Sequence, residues 1–109
     1  MGIETPAQEQ VSLPFIVSGW AVDLAALEST GIDVVQIVDA GCEGHVIGIA
    51  EYGVKRSDIA RKYGEQFLYS GWQFEVERLR LGEHTLAVRA KSSMADDFNQ
   101  CQAIQITVE

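Results

Sequence analysis

The chain is short of basic residues: eight lysines and arginines stand against sixteen acidic residues, a formal net charge of −8. That sign is wrong for tracking a phosphate backbone or an anionic bilayer, so nucleic acid and membrane are not expected partners. No apolar run approaches the ~20 residues of a spanning helix, and the N-terminus lacks the basic, apolar and small-residue order of a signal peptide. Met1-Gly2 passes almost at once into strand-like sequence, as expected of a piece of a longer secreted or cytoplasmic protein. The two cysteines, Cys42 and Cys101, are too few for a disulfide framework and too far apart for a zinc knuckle or a redox pair. They are expected as buried or half-buried free thiols. Neither His45 nor His84 has a partner at ligand spacing, so no zinc and no other cofactor is expected.

What the chain does have is enough apolar sequence for one core. Its 109 residues are 47% hydrophobic and 22% charged, which excludes disorder and fits a single domain over residues 1–109. Strand signals recur at short intervals, the spacing of an all-β sandwich and not of βαβ units. Residues 3–7 read as an edge piece, because Pro6 has no N–H for a central ladder. Between Leu13 and Leu24, Phe15, Val17, Gly19 and Ala21 share one face while Ile16, Ser18, Trp20 and Val22 share the other, so both faces need covering. Residues 24–30 have the composition of a helical turn, and residues 32–39 and 45–52 read as a hairpin around the glycine-bracketed turn Ala40–Gly44. Residues 56–63 read as the one convincing helix, with Ser57 as its cap and Ile59, Ala60 and Tyr63 on one side. Trp72, Phe74 and Val76 then alternate with Gln73, Glu75 and Glu77, and His84, Leu86, Val88 and Ala90 alternate with Thr85, Ala87, Arg89 and Lys91. Residues 92–100 read as a polar loop before a last strand carrying Ile104, Ile106 and Val108, which makes about seven strands in all. Ser18-Gly19-Trp20 and Ser70-Gly71-Trp72 repeat one local device, a glycine that lets an indole or a backbone approach closely.

In order along the chain, the blocks Phe15–Asp23, Gly31–Val35, Ala50–Gly53 with Arg56–Ala60 and Tyr63, Ser70–Phe74, and Leu81–Ala90 resemble a bacterial immunoglobulin-like domain. The longer turn Asp39–Gly44 and the segment 92–100 depart from that pattern. The resemblance implies an immunoglobulin-like β-sandwich with one short helical insertion. It further implies a non-catalytic structural or interaction module of a larger bacterial protein, of spacer or adhesion type, in an extracellular or cell-surface setting. Partners would be other domains of the parent protein or a polysaccharide, and the module would be a monomer or weak dimer. One fold hosts many functions, and function lies in the residues of a site.

His84 falls where sandwiches keep a corner tyrosine bonded to backbone and reads as a structural histidine, while His45 beside Gly44 reads as solvent-facing. Cys42 has no oriented base, and neighbouring Glu43 would raise its thiol pKa. In an immunoglobulin-like sheet the strands before Cys42 and after Cys101 run parallel. That sets the two thiols at opposite ends, beyond the ~7 Å between Cα atoms that a bridge tolerates. Calcium, which wants several oxygens at once, has candidates only in Asp96, Asp97 and Asn99, and a solvated turn is the simpler account of them. A hydrolase would need nucleophile, base and oxyanion donors in one cleft, and the sequence does not assemble them, so an enzyme is not expected. The alternative function is carbohydrate binding, with Trp20, Trp72 and Tyr69 as stacking residues. Against it, residues 56–69 supply the apolar side chains for a lid over the face of Trp20.

Overall fold

Where apolar and polar side chains alternate, the chain extends and stacks two sheets over one apolar layer. The computed structural model describes residues 1–95 and 97–109. In chain order its strands are β1 (Gly2–Thr5), β2 (Gln10–Val11), β3 (Phe15–Trp20), β4 (Ile32–Asp39), β5 (His45–Ile49), β6 (Glu51–Val54), β7 (Gly71–Val76), β8 (Gly82–Ser92) and β9 (Asp97–Val108). Helix α1 (Ser57–Tyr63) and a 3₁₀ turn (Glu65–Phe67) lie between β6 and β7. One sheet has the order β1-β3-β7-β6 and the other β2-β9-β8-β4-β5. Among the described residues every strand pair is antiparallel except β2 with β9.

The core between the sheets takes Phe15 and Val17 from β3 and Trp72 and Val76 from β7 on one side. Val35 and Ile37 of β4, Leu86, Val88 and Ala90 of β8, and Ile106 and Val108 of β9 meet them from the other. Gly19 shows why a glycine precedes Trp20. A Cβ there would run into the carbonyl oxygen of Gly2 on β1 and would sit 2.9 Å from the Trp72 ring, so only glycine lets β1 and the indole close on β3 together.

About seven strands are expected from the sequence, and nine are seen among the described residues. The stretch 45–52 is not one strand. It passes from one sheet to the other at buried Ala50, whose N–H donates to the Val35 carbonyl at 2.8 Å. Similarly, the N-terminal segment runs at the edge of one sheet as β1, passes Pro6, and joins the edge of the other as β2. The expected polar loop over 92–100 is mostly strand: β8 reaches Ser92 and β9 starts at Asp97, because the ladder to β8 pairs backbone whatever the side chains. Residues 24–30 form no helix. Ser57 opens α1 but does not cap it; the N-cap position belongs to Arg56, which makes no side-chain capping bond.

On the outer face of the five-stranded sheet, Val38 and Ala87 are fully buried although neither belongs to the main core. They pair across β4 and β8, and Ala87 pairs with Ala103 of β9. The β4–β5 loop covers this patch. Its Gly41 N–H donates to the Thr85 carbonyl at 2.9 Å, and Arg89 Nη1 donates to the Cys42 carbonyl at 3.2 Å, so the loop spans β8 on either side of Ala87.

Candidate functional site

The aromatic residues divide between the two sides of one sheet. Trp72 points inward and is 1% exposed, with its indole N–H enclosed and unpartnered. Trp20, one register step away on β3, points outward under the insertion, with its ring 5.9 Å from that of Tyr63 and tilted by 34°. Val22, Ile59 and Phe67 are buried together beneath Trp20 and Tyr63 as a second apolar cluster. The lid expected over the face of Trp20 is thus present, built from α1 and the 3₁₀ turn. Tyr69 is 58% exposed. Of the three carbohydrate-stacking candidates, the fold brings no two onto one open surface: Trp72 is in the core, Trp20 is half covered and Tyr69 stands outside.

Arg56 locks the insertion to the first strand. Its guanidinium donates two bonds to Glu4, at 2.8 and 2.9 Å, and two to Asp58, at 3.0 and 2.8 Å. The Asp58 carboxyl is held down to about 2, first by the Arg56 hydrogen bonds and then by its charge. Tyr52 donates to the Ala21 carbonyl at 2.7 Å, and burial pushes its hydroxyl up to about 12.

His84 stands at the start of β8 with both ring nitrogens engaged. Nδ1 lies 2.9 Å from Asp39 Oδ1 and Nε2 lies 2.7 Å from the Arg80 carbonyl. A carbonyl only accepts and an ionised carboxylate only accepts, so this arrangement calls for a proton on each nitrogen, the imidazolium form. Burial lowers its pKa, but the bonds to Asp39 and Arg80 outweigh that and hold it above the ordinary histidine value. The imidazolium pins the end of β4 to the β7–β8 corner, the structural role expected of it. It borders an open recess of about 660 Å³ lined also by His45, Leu79, Leu81 and Glu83. His45 is exposed, as expected.

The two cysteines overturn their expectation. They are not free thiols at opposite ends but a disulfide, with Cα atoms 6.2 Å apart. β4 and β9 do lie parallel on either side of β8, as the sequence implies. However, β9 starts four residues before Cys101, which therefore sits inside the sheet opposite Arg89, and the loop after Asp39 folds back over β8 to bring Cys42 there. A sequence holding only two cysteines carried that signal; the backward course of the loop did not show in it.

No protein family, curated protein or solved structure matches this chain. The remaining site assignments therefore rest on geometry. Asp97 and Asn99 lie on β9 with exposed side chains, and Asp96 is outside the described residues. Among the described residues no three His, Cys, Asp or Glu side chains are grouped to hold a metal ion. Among the described residues no helix is long and apolar enough to cross a membrane.

Proposed function

We propose that this chain is an immunoglobulin-like module, a non-catalytic structural or interaction unit of spacer or adhesion type within a larger bacterial protein. The observation that carries the reading is the strand order. The sheet β1-β3-β7-β6 corresponds to strands A-B-E-D of an immunoglobulin sandwich, and β9-β8-β4 corresponds to G-F-C, with β5 added at the C side. The His84 bond to a carbonyl four residues upstream, at the β7–β8 corner, does the work of the corner tyrosine in such folds. Both cysteines and one of the two histidines are engaged in holding the sandwich: Cys42 and Cys101 by their bridge and His84 by two acceptors. The bridge also favours an extracellular or cell-surface setting, since oxidising compartments are where such bonds persist.

Carbohydrate binding is the second reading, and exposed Tyr69 is what favours it. A thermal melt with a panel of bacterial and plant polysaccharides separates the two. A ligand at 100 times its Kd adds about 2.7 kcal/mol, or roughly 10 °C for a domain of this size. The module reading expects no glycan to move the midpoint. A rise of that size with one glycan, lost in Tyr69→Ala, replaces it with carbohydrate binding.

A further inference from the structure

We propose that the side of the sandwich between β5 and β7 takes an extended peptide from a partner protein, one in which apolar and basic side chains alternate. This deepens the interaction-module reading, and rests on it, by naming the chemistry of the partner.

A strand position stands open there. The chain crosses between the sheets at Ala50, so β6 starts late: among the described residues its ladder with β7 runs from Gly71 to Gln73 and stops. On the other side β7 is paired with β3 along its whole length, Gly71 through Val76, without a register shift. The Ala21 N–H donates to the Ser70 carbonyl at 3.0 Å. In a regular antiparallel ladder that bond sets the alternation, so the backbone groups of Trp72, Phe74 and Val76 face β3 and those of Gly71, Gln73 and Glu75 face away. Glu75 therefore turns its N–H and C=O toward the place an earlier start of β6 would fill. Such an edge is matched by another extended backbone. The edge strands themselves are poorer sites. β2 is two residues long, and β1, β5 and β6 each carry a register shift, a device that discourages further pairing.

The side chains around the open position define the peptide. A recess of about 230 Å³ follows this part of β7, with Phe74 and Val76 on one side and Ile47 of β5 on the other. A second, of about 360 Å³, adjoins it at Phe74 and Glu75 and is bounded by Ile16 and Ile49, which are 46% and 65% exposed. Side chains alternate across a strand, so peptide residues opposite Phe74 and Val76 turn inward onto apolar surface, and the residue opposite Glu75 turns outward beside it. Exposed Glu77 stands two residues along from Glu75, and exposed Glu51 is paired with Gln73 two residues the other way. Gln73 donates to Glu51 at 3.1 Å, a neutral partner that leaves its charge in place. Against these three carboxylates, Arg78 is the one cation lining either recess. A lysine or arginine opposite Glu75 complements them, and an acidic residue there is repelled.

A second copy of this chain does not supply such a strand. Its stretches of alternating apolar and basic residues are already engaged. Val88–Lys91 lies within β8 between β4 and β9, and Arg78–Leu81 is held at the β7–β8 corner by the bond from His84 to the Arg80 carbonyl and by Leu79 on the core.

The test is a titration of the whole chain with a short capped peptide alternating valine and arginine, followed by amide shifts up to about 1 mM peptide, the weak end of the affinity scale. Shifts are expected at residues 47–51 and 73–78, with slowed hydrogen exchange at the Glu75 N–H. A valine–glutamate peptide is expected not to bind. Nor is a valine–arginine peptide N-methylated on its arginines, because those N–H groups are the ones that meet Glu75. Glu75→Lys changes an exposed side chain outside both apolar clusters and is expected to weaken the valine–arginine peptide about tenfold, since a pair directly opposite turns from attractive to repulsive. Glu75→Lys with Glu77→Lys is expected to reverse the preference toward the valine–glutamate peptide, a gain that misfolding cannot produce. No shifts, equal binding of the two peptides, undiminished binding of the N-methylated form, shifts confined to other residues, or self-association through residues 73–78 without peptide each overturns the proposal. A glycan-dependent rise in the melt replaces the module reading even where the peptide binds. A peptide that fails beside a flat glycan panel removes this proposal alone, so the two failures are distinguishable.

Discussion

Replacing Cys42 and Cys101 together by alanine removes the covalent tie between the β4–β5 loop and β9, and its effect can be worked from the structure. The bridge joins residues 59 apart in sequence, and closing a loop of that size in the unfolded chain removes entropy worth about 4 kcal/mol at 25 °C. The folded state loses little besides the bridge, because neither the Gly41–Thr85 backbone bond nor the bond from the Arg89 guanidinium to the Cys42 carbonyl uses a cysteine side chain. With an unfolding entropy of about 2.1 cal/mol/K per residue, 4 kcal/mol lowers the midpoint by roughly 15–20 °C. Circular-dichroism melts of the oxidised protein, the reduced protein and the double variant measure this, with thiol titration in denaturant establishing that the starting material is bridged. The urea slope is expected to rise on reduction, because an uncrosslinked denatured chain exposes more surface. If bridged protein and double variant melt within about 3 °C of one another, the loop-closure reasoning fails, and native strain or residual denatured structure must cancel it.

Two further measurements address the interior contacts. His84 has a folded pKa above its unfolded value, so its stabilisation is complete below about pH 6.5 and declines as pH rises through the folded value. His84→Gln is expected to cost about 1–3 kcal/mol at pH 5.5 and to flatten urea stability between pH 6 and 8; an unchanged pH profile in that variant refutes the imidazolium assignment. Gly19→Ala places a methyl against the Gly2 carbonyl and the Trp72 ring, and overpacking of that kind costs about 1–3 kcal/mol in urea unfolding. A variant as stable as the parent would mean that β1 is not held against β3 in solution.

Much of the fold was legible because it depends on neighbours in sequence. Trp72, Phe74 and Val76 alternating with Gln73 and Glu75 could only be a half-buried strand, and the two apolar faces of 15–22 called for a lid that α1 and the 3₁₀ turn supply. The first half of β9 was illegible for the opposite reason. Asp97 to Ala103 carries no apolar alternation, and its strand state comes from backbone pairing with β8. Ala50 gave no sign of the crossing between sheets, since a buried alanine suits a continuous strand as well as a switch. At the candidate sites, the roles of His84 and the Trp20 lid were readable from position, whereas Asp39 as the histidine's partner lies 45 residues away with no local signal.

By itself the amino-acid sequence determined the two-sheet class, the parity of nearly every core strand and the net negative charge. All of these follow from the period of side chains along an extended chain and from a sum of charges. Only the tertiary structure decided that Cys42 meets Cys101, that His84 bridges Asp39 and Arg80, and that Trp20 and Trp72 lie on opposite sides of one sheet. The physical reason is common to all three. Each depends on where a loop turns or which strands become neighbours, and those choices are set by the packing free energy of the whole sandwich, not by the residues on either side of the contact.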